Sequence, residues 1–260
     1  MAGYPHNGTL FHIGPITRTV TDAALLLNVI AVPDTRDWTS LPGDGRDWTA
    51  GLESGVKGLR IAYSRTLGYL NLDPGIAAII DRAVARLADL GALVEEADPG
   101  FADPLTIYQA IAAERGIRLH REIGEEGLAL VDPGIRSNVE RLERHTLIDV
   151  VEATERRSAL AVLMRRFHQR YDLLVTPVTS KPVPRVGTEP EAPFTSPFNL
   201  TQQPAASVQA GIDINGLPVG LQIVGPQHSD ALVLRAARAF ESAHPFPAPH
   251  LDSLLERASP

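Results

Sequence analysis

A strand, an amphipathic helix and a second strand follow one another within about 40 residues, and this succession restricts the fold more than any other feature of the chain. Residues 59–63 (LRIAY) form a short apolar run with strand character. Asp73-Pro74 then opens a helix, with the acid at the N-cap and the proline at the first helical position. Ile76, Ile79, Ile80, Ala83, Val84, Leu87 and Leu90 recur at spacings of three and four, so one face of this helix is apolar. Gly91 ends it, because glycine adopts the left-handed cap conformation without steric cost. Residues 92–97 (ALVEEA) supply the second strand. Two neighbouring strands joined by a helical crossover pair in parallel, so the spacing predicts a βαβ unit and an α/β fold.

The flanking sequence extends this core. Residues 17–31 read as a helix capped by Thr19, with Asp22 three positions on. Ala23, Ala24, Leu25, Leu26, Leu27, Val29 and Ile30 cover every face of it, which predicts a buried helix stopped by Pro33. Residues 34–57 are polar and rich in Gly, Pro and Asp, a long surface loop. Asp103-Pro104 opens a helical stretch to about residue 123, and an Arg- and Glu-rich helical pattern covers 135–171. Residues 172–176 (DLLVT) read as a buried strand. Prolines at 177, 182, 184, 190, 193 and 197 predict an extended, non-helical loop after it. The apolar runs 205–212 and 217–224 flank Asn215-Gly216, a hairpin turn signal, and a last helix covers 229–242. No repeat of 20–50 residues is present. The expected architecture is a mixed β-sheet flanked by helices.

Composition excludes several functions. Lys and Arg total 24 against 31 Asp and Glu, a net charge of −7, which lacks the basic stripe that nucleic acid requires. There is no cysteine, so thiolate metal sites, disulfides and a Cys nucleophile are excluded. No apolar run reaches the roughly 18–20 residues that span a bilayer, and the first ten residues lack the pattern of a secretory signal. A cytoplasmic protein without membrane or nucleic-acid partners, metal or organic cofactor is the expectation.

Candidate catalytic residues are few. Ser54-Gly55-Val56-Lys57 matches Ser-x-x-Lys, in which a helical Lys activates a Ser, but Gly55 and Gly58 break any helix here, so a solvated loop is expected. There is no G-x-S-x-G elbow, P-loop or dinucleotide fingerprint. His120 and Glu122 stand two apart on a helix and point roughly 200° from one another, so with Glu125 they read as a solvated charged face rather than metal ligands. His145 and His168 are isolated on Arg-rich helices, and His12, before Gly14-Pro15, reads as structural. No catalytic, cofactor or metal residue is assigned within the chain, and its substrate-binding residues are unassigned.

Two segments resemble the amidase signature family. The first is 8–31, GTLFHIGPITRTVTDAALLLNVIA, in which Gly14, Pro15, Arg18, Val20, Asp22, Ala23 and Ala24 match the stretch that follows the family's signature region. The second is 194–225, FTSPFNLTQQPAASVQAGIDINGLPVGLQIVG, similar to the family's C-terminal run. The resemblance implies hydrolysis of carboxylic amides by a Ser, a second Ser in a cis peptide and a Lys, with no cofactor. In the family the Lys lies in an early strand-like segment, and the two serines lie in and just after a Gly/Ser-rich loop upstream of the Gly-Pro-x-x-Arg motif. No such loop occurs here, and Lys57 and Lys181 both follow the motif. Residues 1–260 are therefore expected to be the C-terminal portion of one amidase-signature domain, inactive alone, with the catalytic portion missing. A gene fragment, one half of a split enzyme and a non-catalytic binding remnant of the fold all fit this reading. A small-molecule amide is the expected substrate if the missing half completes the chain, and the exposed sheet edge predicts self-association. The glutaminase subunit of the tRNA-dependent amidotransferase is disfavoured: its acidic residue three positions before the Thr corresponds to Ala192, with Thr195 as the Thr.

Overall fold

The computed structural model describes residues 9–37, 39–185 and 193–245. Among these residues seven helices and five strands run in the order α1 (Val20–Ile30), β1 (Arg60–Tyr63), α2 (Pro74–Asp89), β2 (Leu93–Glu96), α3 (Leu105–Leu130), α4 (Pro133–Leu142), α5 (Leu147–Phe167), β3 (Leu173–Pro177), α6 (Ser196–Thr201), β4 (Ala205–Ile212), β5 (Pro218–Val224) and α7 (Asp230–Ala243), with a short 3₁₀ turn at Leu52–Ser54. The strands form one sheet in the order β2-β1-β3-β5-β4. β1 pairs in parallel with both β2 and β3, so the expected βαβ unit is present. β5 pairs antiparallel with β3 and with β4, making the sheet mixed.

Local chemistry explains most of the boundaries. Thr19 Oγ1 accepts from the Asp22 amide at 3.1 Å and starts α1. Asp73 Oδ1 accepts from the Gly75 and Ile76 amides at 2.8 and 3.1 Å and starts α2. In the β4–β5 turn, Asp213 Oδ1 accepts from the Asn215 and Leu217 amides, and Gly216 takes φ 79°, the left-handed value its place in the turn requires.

Strand alternation builds two cores on opposite faces of the sheet. Ile61, Tyr63, Leu173, Val175, Leu221 and Ile223 pack with α2 and α7. Ala62, Leu174 and Val224 pack with Ile107, Ala153, Leu160, Met164, Phe194 and Phe198 from α3, α5 and the α6 region. No helix among the described residues is long and apolar enough to cross a membrane.

Three expectations need correction. α1 is not buried all round: Val20 and Ala24 are buried and Leu27 packs partly against the core, while Leu25 is 52% and Val29 68% exposed. Its inner face meets the α7 side of the fold through the Val20 amide, which donates to Glu241 Oε1, and nothing described covers the outer face. The helical pattern at 135–171 is two helices. Thr146 and Asp149 form a reciprocal capping box that restarts the chain as α5. The helical stretch opened at Asp103-Pro104 breaks where expected, at Gly124 (φ 68°, ψ 178°), and a second helical segment continues α3 to Leu130. The proline-rich loop contains α6, because Pro197 in the first turn of a helix loses no hydrogen bond.

Candidate functional site

An open groove of about 2410 Å³ runs beside the edge strand β4. One wall is the extended segment 9–20, another is the stretch from Gln202 to Gln209, and α7 and the facing parts of α3 and α5 complete it. The two segments that carry the family resemblance therefore border the same space.

They are tied together by side chains. Arg157 of α5 donates from Nε to the Leu200 carbonyl at 2.6 Å, and its two terminal nitrogens donate to Thr9 Oγ1 at 2.6 Å and the Thr9 carbonyl at 3.1 Å. Burial lowers its pKa from the usual guanidinium value. Asn199 Nδ2 donates to the Leu10 carbonyl at 2.8 Å, and Leu10 itself is buried. The Arg115 guanidinium lies 4.4 Å over the Phe11 ring. A segment outside the sheet is thereby held in register against α6.

Buried polar side chains fix the other wall. Gln222 donates to Thr176 Oγ1 and to the Phe194 carbonyl, both at 2.9 Å, which ties the segment before α6 to the sheet. Gln203 sits at the centre of a second network. Its Oε1 accepts from Thr201 Oγ1 at 2.7 Å, and its Nε2 donates to the Gly225 carbonyl at 3.0 Å and to His168 Nε2 at 2.7 Å. The other ring nitrogen of His168 lies 3.2 Å from the Tyr171 carbonyl, an acceptor only, so Nδ1 carries the proton and Nε2 the lone pair. Burial lowers the His168 pKa, against weaker opposing effects of the Tyr171 carbonyl and Asp172.

The histidines expected to be unremarkable take different places. His168 belongs to this buried network rather than standing isolated. His12 lines the groove, and its pKa is lowered by burial and by Arg157 against a weaker opposing effect of Asp230. His145 lies on the groove rim. His120 is bonded to Glu143 Oε1 at 2.7 Å and to Glu125 Oε1 at 3.2 Å, and Glu143, the larger cause, raises its pKa. The partners are thus Glu125 and Glu143, not Glu122. Among the described residues no group of three or more His, Asp or Glu is placed to hold a metal ion.

Ser54 and Lys57 are exposed, Val56 between them is buried, and Gly55 has φ 67° and ψ −170°, so no helical face joins the two. The Gly55 and Ser54 carbonyls instead accept from Arg235 of α7. Ala192 lies outside the described residues; Thr195 immediately precedes α6. The residues that organise the groove (Arg157, Asn199, Gln203 and Gln222) were not singled out from sequence. Their only signal is a polar side chain inside or beside an apolar run.

Comparison with known proteins accords with this arrangement. Residues 3–234 match the Amidase family. The chain is 33% identical over 249 residues to an acylamidase of Rhodococcus erythropolis, covering 90% of this chain and 52% of the relative. It is 34% identical over 266 residues to a glutamyl-tRNA(Gln) amidotransferase subunit of Myxococcus xanthus, covering 90% of this chain and 55% of the relative. A bacterial aryl acylamidase of the amidase signature enzymes superposes with a TM-score of 0.77 at 28% identity, covering 90% of this chain and 53% of that one. A 6-aminohexanoate cyclic dimer hydrolase superposes with a TM-score of 0.76 at 27% identity, covering 90% and 56%. The chain spans about half the length of the curated relatives it matches. With the family match running through both groove-forming segments and every strand of the sheet, the chain belongs to the amidase family.

Proposed function

We propose that this chain is the C-terminal portion of an amidase-signature hydrolase, which converts a carboxylic amide to an acid and ammonia or an amine. The nucleophilic Ser, the second Ser and the Lys are supplied by residues outside 1–260. The observation that carries this reading is the meeting of the two motif segments at one groove, through Arg157 with Thr9 and Asn199 with Leu10. The acylamidase among the relatives supports the reaction class. Acyl transfer needs a nucleophile, a base and preorganised donors for the oxyanion. The sequence holds no Gly/Ser-rich loop to supply those donors, and Ser54 and Lys57 are exposed and unaligned. The part played by residues 1–260 is then to shape the pocket and set preference. Ala192 in place of an acid favours a general amidase over the amidotransferase role, because a substrate ammonium left unpaired in a pocket is costly.

The test is release of ammonia from acetamide and of aniline from acetanilide. The chain alone should release neither above buffer. A reading frame extended upstream of the Met1 codon to include an in-frame Gly/Ser-rich segment should hydrolyse at least one, and Ser54→Ala and Lys57→Ala should leave that rate nearly unchanged. Hydrolysis by the chain alone that is lost in Ser54→Ala or Lys57→Ala overturns the proposal.

A further inference from the structure

Among the described residues, three that are not glycine occupy left-handed backbone: Leu67, Gln202 and His228. Leu67 is fully buried, and its amide is held by Ser64 Oγ at 2.9 Å. The other two both line the groove. Gln202 follows the last turn of α6 with φ 55° and ψ 40°, and its amide donates to the Asn199 carbonyl at 3.3 Å. Glycine is the usual residue at such a helix end, because a side chain in this conformation is strained. The Gln202 side chain gains nothing visible in return. It is exposed, lines the groove and makes no hydrogen bond to any described residue. Its neighbours differ on that point: Gln203 is fully bonded, and Gln227 donates to the Thr201 carbonyl at 2.9 Å. A strained residue whose polar group is offered only to the groove points to use by a ligand.

We infer that Gln202 is a specificity-determining residue of the groove, whose carboxamide reads an amide group of the bound molecule. A carboxamide separates amides from esters by one hydrogen bond: its oxygen accepts from the N–H of a ligand amide. An ester of the same shape offers the carbonyl but no N–H. Gln202 thus selects amides over esters, and the backbone strain is the stability given up for that selection. This inference rests on the groove being the amide-binding site of the proposed hydrolase.

The experiment uses the whole 260-residue chain, with acetanilide and its ester isostere phenyl acetate as probes, followed by ligand-detected NMR titration alongside thermal unfolding. The chain should bind acetanilide about fivefold more tightly than phenyl acetate, the worth of one hydrogen bond. Gln202→Gly should abolish that preference while raising Tm by roughly 1–3 °C through relief of strain. Gln202→Ala keeps the strained backbone, so it should abolish the preference with no rise in Tm. Retention of the preference in both variants, or no rise in Tm for Gln202→Gly, overturns the inference while leaving the amidase reading in place. Failure of the unaltered chain to bind either probe overturns the inference together with the assignment of the groove.

Discussion

Replacing Gln203 with leucine tests the internal support of the groove wall. Gln203 is 8% exposed and bonds three partners: Thr201 Oγ1, His168 Nε2 and the Gly225 carbonyl. Leucine has similar size and no polar atoms. Thr201 keeps an alternative, since its hydroxyl also donates to the Pro197 carbonyl at 3.0 Å. His168 Nε2 and the Gly225 carbonyl lose their donor, and a buried acceptor left without a partner costs about 1–3 kcal/mol. Burying the apolar leucine offsets part of this, roughly 1 kcal/mol. The net loss is about 3 kcal/mol, which for a chain of this size lowers Tm by roughly 6–12 °C. The pH dependence supplies a second readout. His168 has a lowered pKa in the folded state, so below about pH 6.5 the unfolded chain binds a proton that the folded chain refuses. Stability from this site is complete above that pH and falls as the pH drops toward 5, by at most about 1.4 kcal/mol per pH unit. His120 acts in the opposite sense, its raised pKa giving stability at low pH that is lost as the pH rises, so His120→Gln is the background in which to measure. Gln203→Glu places an acceptor against His168 Nε2, favours the imidazolium and should flatten the loss between pH 6.5 and 5. Thermal unfolding from pH 5 to 8 is the assay. A Tm change under about 2 °C in Gln203→Leu, or an acid slope unaltered in Gln203→Glu, would refute the network.

Two further outcomes follow from packing. In Gly225→Ala the new methyl would meet Ser229 Oγ and lie 2.8 Å from Val233 Cγ2; Val233 is stiff on α7, so a loss of about 1–3 kcal/mol is expected in urea unfolding. Ser229→Ala in that background should recover only part of it, and an unchanged urea midpoint would show that the α7 contact yields freely. The exposed Leu25, Val29 and Ile30 of α1, together with the open edge of β4, should make sedimentation of the chain concentration-dependent, with Val29→Lys reducing the association. A single 28.0 kDa species at every concentration would contradict this.

Much of the fold was legible because its signals are local. Asp73-Pro74 and Thr19 with Asp22 begin helices through contacts within three residues, and both were readable. Asn215-Gly216 announced the hairpin for the same reason. The break before α5 was equally local, since the Thr146–Asp149 box lies in the sequence, but the charged helical pattern across it concealed the restart. Pro197 was ambiguous, because proline both interrupts helices and begins them.

The groove was not legible. The sequence by itself determined the βαβ unit, the hairpin, the caps and membership of the family, all of which depend on neighbours a few positions apart or on long matching motifs. Only the tertiary structure decided that Arg157 reaches Thr9, 148 positions away, that Gln203 meets His168, and that Gln202 faces open space while Gln203 faces the core. It also decided that α1, apolar on every side, is covered on one face alone. Periodicity reports what a side chain is and which neighbours share its face. Which distant group satisfies it depends on how the helices settle on the sheet, and that arrangement comes from many small packing terms summed over the whole chain.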